Sequence, residues 1–315
     1  MNLEQVRALA AIVDTGSFEL AARTLHLTPS AISQRIRTLE SSVGQVVVRR
    51  GQPCTPTEAG AVLVRLARQV ELLEEESKDH LGVARTAPAV LRVAINADSL
   101  DTWLVPLLEC ASGWEDTRLN FVIADEDHTL ALLRDGRVSA AVSTDVRPVP
   151  GCRTFPLGVM RYLAVAAKGL AHRFHLADGG VDWAGLPALR YDERDDLLEQ
   201  FLAARGLESA SPPSQIPSAP GLRSALGAGL GWLLAPEVTV AEDVEKGNLV
   251  TLGGADDVAD VSLHWHVWKV DSHRIDRLND AITHAARVGL RPLVEAAVDT
   301  RHLRTRPLVG TRPGM

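Results

Sequence analysis

Two groups of side chains in this 315-residue chain have types and spacing that could do chemistry. The first follows Thr28-Pro29 and comprises Ser30, Ser33, Gln34 and Arg37. Hydroxyl, amide and guanidinium groups are the types that hydrogen-bond base edges in a major groove. Arg35 in the same stretch, with Arg49 and Arg50 further on, supplies positive charge suited to phosphate or minor-groove contact. The second group is acidic, in Asn96-Ala97-Asp98-Ser99 and Asp125-Glu126-Asp127-His128. Carboxylates there could receive an ammonium or guanidinium group, and Ser99 at a helix start could cap that helix and bind a ligand carboxylate. Plainer readings stand beside both: a solvated arginine surface, and Asp and Ser serving only as helix caps.

The elements that must position the first group are legible. Leu3, Val6, Leu9, Ala10 and Val13 recur at three- and four-residue spacing, which predicts a helix over 3–14 stopped by Gly16. Ser17 caps a second short helix over 18–25. Thr28-Pro29 opens a third over 29–43, with Ile32, Ile36, Leu39 and Val43 as its buried stripe and Gly44 as its end. Residues 46–50 read as a short strand, a turn follows at Gly51-Gln52-Pro53, and Thr55-Pro56-Thr57-Glu58 reads as a capping box opening the next helix. Three helices followed by a basic β-wing predict a winged helix-turn-helix. Charge agrees: between Leu20 and Thr57, Arg23, Arg35, Arg37, Arg49 and Arg50 face only Glu40, inside a chain of net charge −7.

From Pro56 to about Arg85 no proline occurs, and Ala59, Leu63, Leu66, Val70 and Leu73 form a heptad-like seam. Such a helix needs a partner, either a second copy or its own C-terminal domain. Beyond a hinge at Ala87-Pro88-Ala89, strand and helix patterns alternate: strands near 91–95, 119–123 and 140–142, helices near 99–110 and 128–134. A second such region holds strands near 188–191 and 232–234 and helices near 195–204, 221–228 and 236–246. A strand over 261–270 and a helix over 275–288 complete the pattern. The fold class is α/β, with ligands expected beyond the carboxyl ends of the strands.

The segment from Ser17 to Glu40, together with Val43-Gly44 and Thr55-Pro56-Thr57-Glu58-Ala59-Gly60, resembles the signature of LysR-type transcriptional regulators. That resemblance implies a winged helix-turn-helix over 1–58, a linker and dimerisation helix over 59–88, and a two-lobed effector-binding domain over 89–292 built like a periplasmic binding protein. By the same analogy lobe I spans 89–162 and 270–292, lobe II spans 163–269, and residues 293–315 form a flexible basic tail. The interlobe crossings are expected near 162–166 and 266–270. Residues 96–103, 125–128, 148–153, 158–162 and 265–269 look like the LysG-type and ArgP-type branch, whose members respond to lysine, arginine and sometimes histidine and control basic amino-acid export.

The resemblance implies a cytoplasmic homodimer or dimer of dimers on an inverted-repeat operator, working with RNA polymerase. It implies no cofactor, a small-molecule effector such as L-lysine or L-arginine, and linker helices that relay lobe closure to the heads. The DNA-binding candidates are Thr28, Pro29, Ser30, Ser33, Gln34, Arg35, Arg37, Arg49 and Arg50. The effector-binding candidates are Ala97, Asp98, Ser99, Asp125, Asp127, His128, Thr144 and Tyr191. A different small metabolite remains the alternative effector.

Other classes fit poorly. There is no GxSxG elbow, HExxH or P-loop, so an enzyme on the α/β scaffold lacks its usual machinery. Gly227, Gly229 and Gly231 precede a strand rather than follow one, which argues against a dinucleotide site. His264 and His266 share a strand face, but no third ligand accompanies them. Cys54, Cys110 and Cys152 form no CxxC, which suits a reducing compartment. No apolar run approaches the roughly 20 residues of a membrane helix, and MNLEQVRALA lacks the pattern of a signal peptide.

Overall fold

The computed structural model describes residues 1–83, 87–124, 126–176, 180–207, 212–254 and 257–293, with the backbone alone for residues 126–128. The periodic apolar residues of the N-terminus form α1 (Leu3–Thr15), which Asn2 caps and Gly16 ends in a left-handed conformation at φ 69°. Ser17 caps α2 (Phe18–Thr24), accepting from the Glu19 and Leu20 amides. Thr28 Oγ1 accepts from the Ala31 amide to start α3 (Pro29–Val43), and Gly44 ends it at φ 74°. Ile32, Ile36 and Leu39 are fully buried against Leu9, Ile12 and Ala21, so the predicted stripe holds the head together. Val43 packs at the margin of that core.

The wing is β1 (Val48–Arg49) paired antiparallel with β2 (Thr55–Pro56). This corrects the capping box. Thr55 and Pro56 are used in the wing, and Thr57 caps α4 (Glu58–His80), accepting from Gly60 N at 3.1 Å while donating to Val46 O. The closing strand of the hairpin consumes the residues whose order had suggested the cap.

The linker helix α4 also departs from a single seam. Leu63, Val64 and Ala67 join the core of the head, whereas Leu72 joins the core of the C-terminal domain. Leu66 and Leu73 stay exposed, as does Val62. Two apolar faces are superimposed, one used within the chain and one open.

In the C-terminal domain, β3 (Ala89–Ile95), β4 (Thr117–Ile123) and β5 (Ala140–Ser143) form a parallel set in the order β5-β3-β4. Ala89, placed at a hinge by sequence, already lies in β3. The helix expected over 99–110 is broken into α5 (Ala97–Asp101) and α6 (Val105–Ser112), with Pro106 seated in the first turn of α6. α7 (Glu126–Arg134) follows β4.

Two long strands then carry the sheet from one lobe to the other: β6 (Cys152–Ala167) and, later in the chain, a partner over Val258–Trp268. Between them lie α8 (Lys168–Arg173), β7 (Leu189–Arg190), α9 (Leu197–Ala203), β8 (Ser214–Gln215) and α10 (Ala219–Gly227). β9 (Leu233–Pro236), α11 (Glu237–Glu245) and β10 (Leu249–Thr251) complete the second lobe.

The long partner strand is β11, and α12 (His273–Gly289) returns to pack on the first lobe. The sheet order is β10-β6-β11-β5-β3-β4, with β9 also on β6. β11 pairs with β6 along its whole length, but His264–Val267 also pair with β5 of the first lobe. The passage between lobes along β11 therefore lies on its N-terminal side, over 258–263, earlier than the 266–270 expected. Separate cores fill the two lobes, around Trp103, Trp114 and Trp265 in the first and Trp232 and Phe201 in the second.

Candidate functional sites

The head presents Thr28, Pro29, Ser30, Gln34 and Arg37 exposed along one side of α3, with Ser33 half-buried beside them. Thr28 Oγ1 and Ser30 Oγ lie 2.9 Å apart, and Arg37 Nη1 sits 3.5 Å from Gln34 Oε1. The inward turn of Ile32, Ile36 and Leu39 is what leaves these polar groups outward. Thr28 Oγ1 takes the Ala31 amide and Pro29 has no N–H, so what the first turn of α3 offers an anion is chiefly the positive end of the helix dipole. Arg49 and Arg50 are exposed on and beside the wing, and Arg50 lies over the Phe18 ring at 5.0 Å. Arg35 stands apart: its Nη1 reaches Glu4 Oε2 at 3.0 Å, on the side of α3 that faces α1.

The second candidate site begins at the carboxyl end of β3. Asn96 caps α5, its Oδ1 accepting from Ser99 N at 3.0 Å, so Ser99 is not the cap. The Ser99 side chain is instead fully buried, and its hydroxyl has no hydrogen-bond partner among the described residues. Next to it, Asp98 Oδ2 accepts from the Tyr162 hydroxyl at 2.9 Å. Burial pushes the Asp98 carboxyl up to about 6; the Tyr162 hydrogen bond opposes this, and the charges of Asp195 and Asp101 add to it.

Asp195 belongs to the second lobe, where its carboxylate accepts from Tyr191 N at 3.2 Å and Leu197 N at 3.3 Å. Burial raises it too, against those two backbone hydrogen bonds. Carboxylates from two lobes thus share one field, an arrangement that favours a cation between them.

Ala97 lies in the first turn of α5, while Thr144 directly follows β5 and Tyr191 directly follows β7. Asp125 lies outside the described residues, and for Asp127 and His128 the backbone alone is described, in the first turn of α7. Tyr162 and Asp195, which the structure brings to Asp98, are not among the expected candidates. Tyr162 sits within a long strand and Asp195 at a helix start, and neither local pattern announces a contact with residue 98.

The other candidates have structural explanations. His266 is fully buried and satisfied by Thr154 Oγ1 at 3.1 Å and Asp145 O at 2.8 Å, and burial lowers its pKa. Cys54 is buried with its thiol on Gly51 O, and burial pushes the Cys152 thiol up to about 11. A cavity of about 450 Å³ lies away from Asp98, between the head and α4, lined by Glu4, Arg7, Leu27, Arg35, Glu74 and Lys78. No helix among the described residues is long and apolar enough to cross a membrane.

A winged helix-turn-helix, a long linker helix and a two-lobed α/β domain define a ligand-responsive DNA-binding regulator. Residues 3–61 match the bacterial regulatory helix-turn-helix protein, lysR family, and residues 85–289 match the LysR substrate binding domain. The chain belongs to the LysR family of transcriptional regulators. It is 42% identical over 295 residues to the lysine export transcriptional regulatory protein LysG of Corynebacterium glutamicum, covering 93% of this chain and all of that protein. Its fold is similar to full-length LysG of that organism with bound effector Arg, with TM-score 0.77, 41% identity, 93% of this chain and 100% of that one covered. The crystal structure of ArgP from Mycobacterium tuberculosis gives TM-score 0.80 at 41% identity, covering 91% of this chain and 98% of that one.

Proposed function

We propose that this regulator senses a basic amino acid, L-lysine or L-arginine and by extension L-histidine, and controls an amino-acid exporter gene in the cytoplasm. It would bind an inverted-repeat operator as a dimer or dimer of dimers and act on RNA polymerase there. The observation that carries the effector reading is the Asp98 carboxyl against the Tyr162 hydroxyl, with Asp195 contributing negative charge from the other lobe. A cation entering between the lobes relieves the repulsion of two half-buried acids. The unpartnered Ser99 hydroxyl beside Asp98 is available to the ligand's own carboxylate. The bound arginine of the C. glutamicum LysG structure supports the same chemistry.

Ala97, Asp98, Ser99, Thr144 and Tyr191, with Asp125, Asp127 and His128, remain the proposed effector set, now joined by Tyr162 and Asp195. Thr28, Pro29, Ser30, Ser33, Gln34, Arg37, Arg49 and Arg50 remain the proposed DNA contacts, whereas Arg35 is assigned to the Glu4 pair. Calorimetric titration of the full chain with L-arginine, L-lysine and L-histidine tests the effector, with L-leucine and L-glutamate as controls. The expected result is binding of the basic amino acids alone, weakened about tenfold or more in Asp98→Asn. Binding of L-leucine or L-glutamate in their place would overturn the reading. Selection of duplexes from a randomised library by the full chain is expected to return an inverted repeat with half-sites about one helical turn apart.

A further inference from the structure

Arg68 is a charged side chain on the linker helix that is 7% exposed, with each of its partners in a different part of the molecule. Its Nη2 donates to Asp14 Oδ1, in the last turn of α1 in the DNA head. Its Nη1 donates to the carbonyl of Gly136, in the turn that ends α7 on the first lobe. One turn earlier, Arg65 Nη1 donates to Pro150 O of the same lobe at 2.7 Å. Gly136 stands at φ +67°, and a Cβ there would lie 2.7 Å from Arg65 N, so the lobe's turn rests directly on the backbone of α4. Burial lowers the Arg68 pKa to about 10, which leaves it cationic at neutral pH, with Asp14 opposing the shift. Arg92 of β3 adds a weaker contact to Asp14 at 3.9 Å.

α7 connects this junction to the candidate effector site. It starts just after Ala124, whose amide donates to Ile95 O at the end of β3, immediately before the Asn96–Ser99 turn. It ends at Arg134, two residues before Gly136, and in between Leu130 and Leu133 are buried against the sheet together with Ala94, Ala141 and Trp268. Nine residues of helix span about 13 Å as a packed rod. A buried ion pair contributes little net stability compared with apolar packing, so stability alone is a weak reason for Arg68. A three-way junction has a better one, since it fixes the relative placement of the parts it joins.

We propose that Arg68 is the positioning residue through which the first lobe and the DNA head sense each other, with Asp14 and the Gly136 carbonyl as its two contacts and α7 as the rod between cleft and head. The assignment of the cleft as the effector site rests on the function proposed above; the coupling itself does not, because linkage is reciprocal and DNA must then be felt in α7. The test is amide hydrogen exchange on the full chain, with and without the inverted-repeat duplex selected by the wild-type protein, at duplex concentrations that saturate each variant. In the wild type the duplex is expected to change exchange in the 126–136 segment about fivefold. In Arg68→Met, and in the milder Asp14→Asn, that response is expected to vanish while DNA is still bound. A wild-type segment indifferent to the duplex, or one that answers equally in both variants, would overturn the proposal. L-arginine forms a separate arm. A segment that answers the duplex and not L-arginine leaves the junction standing and removes the effector reading.

Discussion

At the scale of single residues, the chemistry divides between side chains that read and side chains that only charge. Arg37 lies exposed on the same side of α3 as Ser30 and Gln34, so Arg37→Ala is expected to cost about 1–3 kcal/mol on the operator and far less on random DNA. Arg49, exposed on the wing, is proposed as a phosphate contact, so Arg49→Ala should weaken both duplexes alike and lower the salt slope by about one. Paired binding titrations at several salt concentrations separate the two; equal losses for Arg37→Ala on operator and random DNA would misplace the reading face.

The cleft carries a pH dependence of definite sign. Asp98, held up to about 6 mainly by burial, must ionise to receive a cation. L-arginine affinity should therefore be flat above pH 7 and fall through pH 6, by up to about tenfold per unit. In the ligand-free protein the same raised pKa means the folded state holds its proton longer than the unfolded one. The contribution of Asp98 to stability accordingly declines as pH rises from about 4 to 6. Asp98→Asn should flatten both profiles, in calorimetry and in Tm against pH.

At the scale of elements, close backbone approach sets the strictest requirements. A Cβ on Gly60 would lie 1.8 Å from the Val47 carbonyl, where α4 leaves the wing. Gly60→Ala should destabilise the head by about 1–3 kcal/mol, seen as a lower Tm with weakened DNA binding and an unchanged effector affinity.

The head was the most legible part of the sequence because its signals are local. Ser17, Thr28, Gly16 and Gly44 act within their own turns, and the bounds of α3 follow directly from them. Legibility failed where a residue had two uses. Thr55 and Pro56 look like a cap and are a strand, because pairing with Val48 and Arg49 decides the matter. Ser99 looks like a cap, but Asn96, three residues earlier, occupies that role. On the first-lobe side of the candidate site, Asp98 was legible as a candidate. The contribution of Tyr162, 64 residues away, and of Asp195 depended on how two lobes meet, which no local pattern encodes.

At the scale of the whole molecule, the linker helix is held to the first lobe at two places. Beside the Arg68 junction, Glu76 is buried against Ser272 and Arg274, and Arg274, with no exposed surface, also pairs with Asp79 and Asp116. The head, α4 and the first lobe are thereby joined, while the second lobe is reached through β6 and β11. What α4 does not bury within the chain is the row Val62, Leu66 and Leu73, exposed at 54%, 37% and 41%. Their four- and seven-residue spacing lies on one stripe of the helix, the pattern by which two helices pair. A second copy seated there would set two heads on one duplex, and symmetric half-sites would follow from the two-fold axis. Leu66→Glu combined with Leu73→Glu places charge in that seam without touching Arg65, Arg68 or Glu76. Sedimentation velocity is expected to show the wild type as a dimer or larger and the double variant as a monomer, with affinity for the inverted repeat falling toward that of one half-site. A double variant that remains dimeric would move the interface off this face of α4.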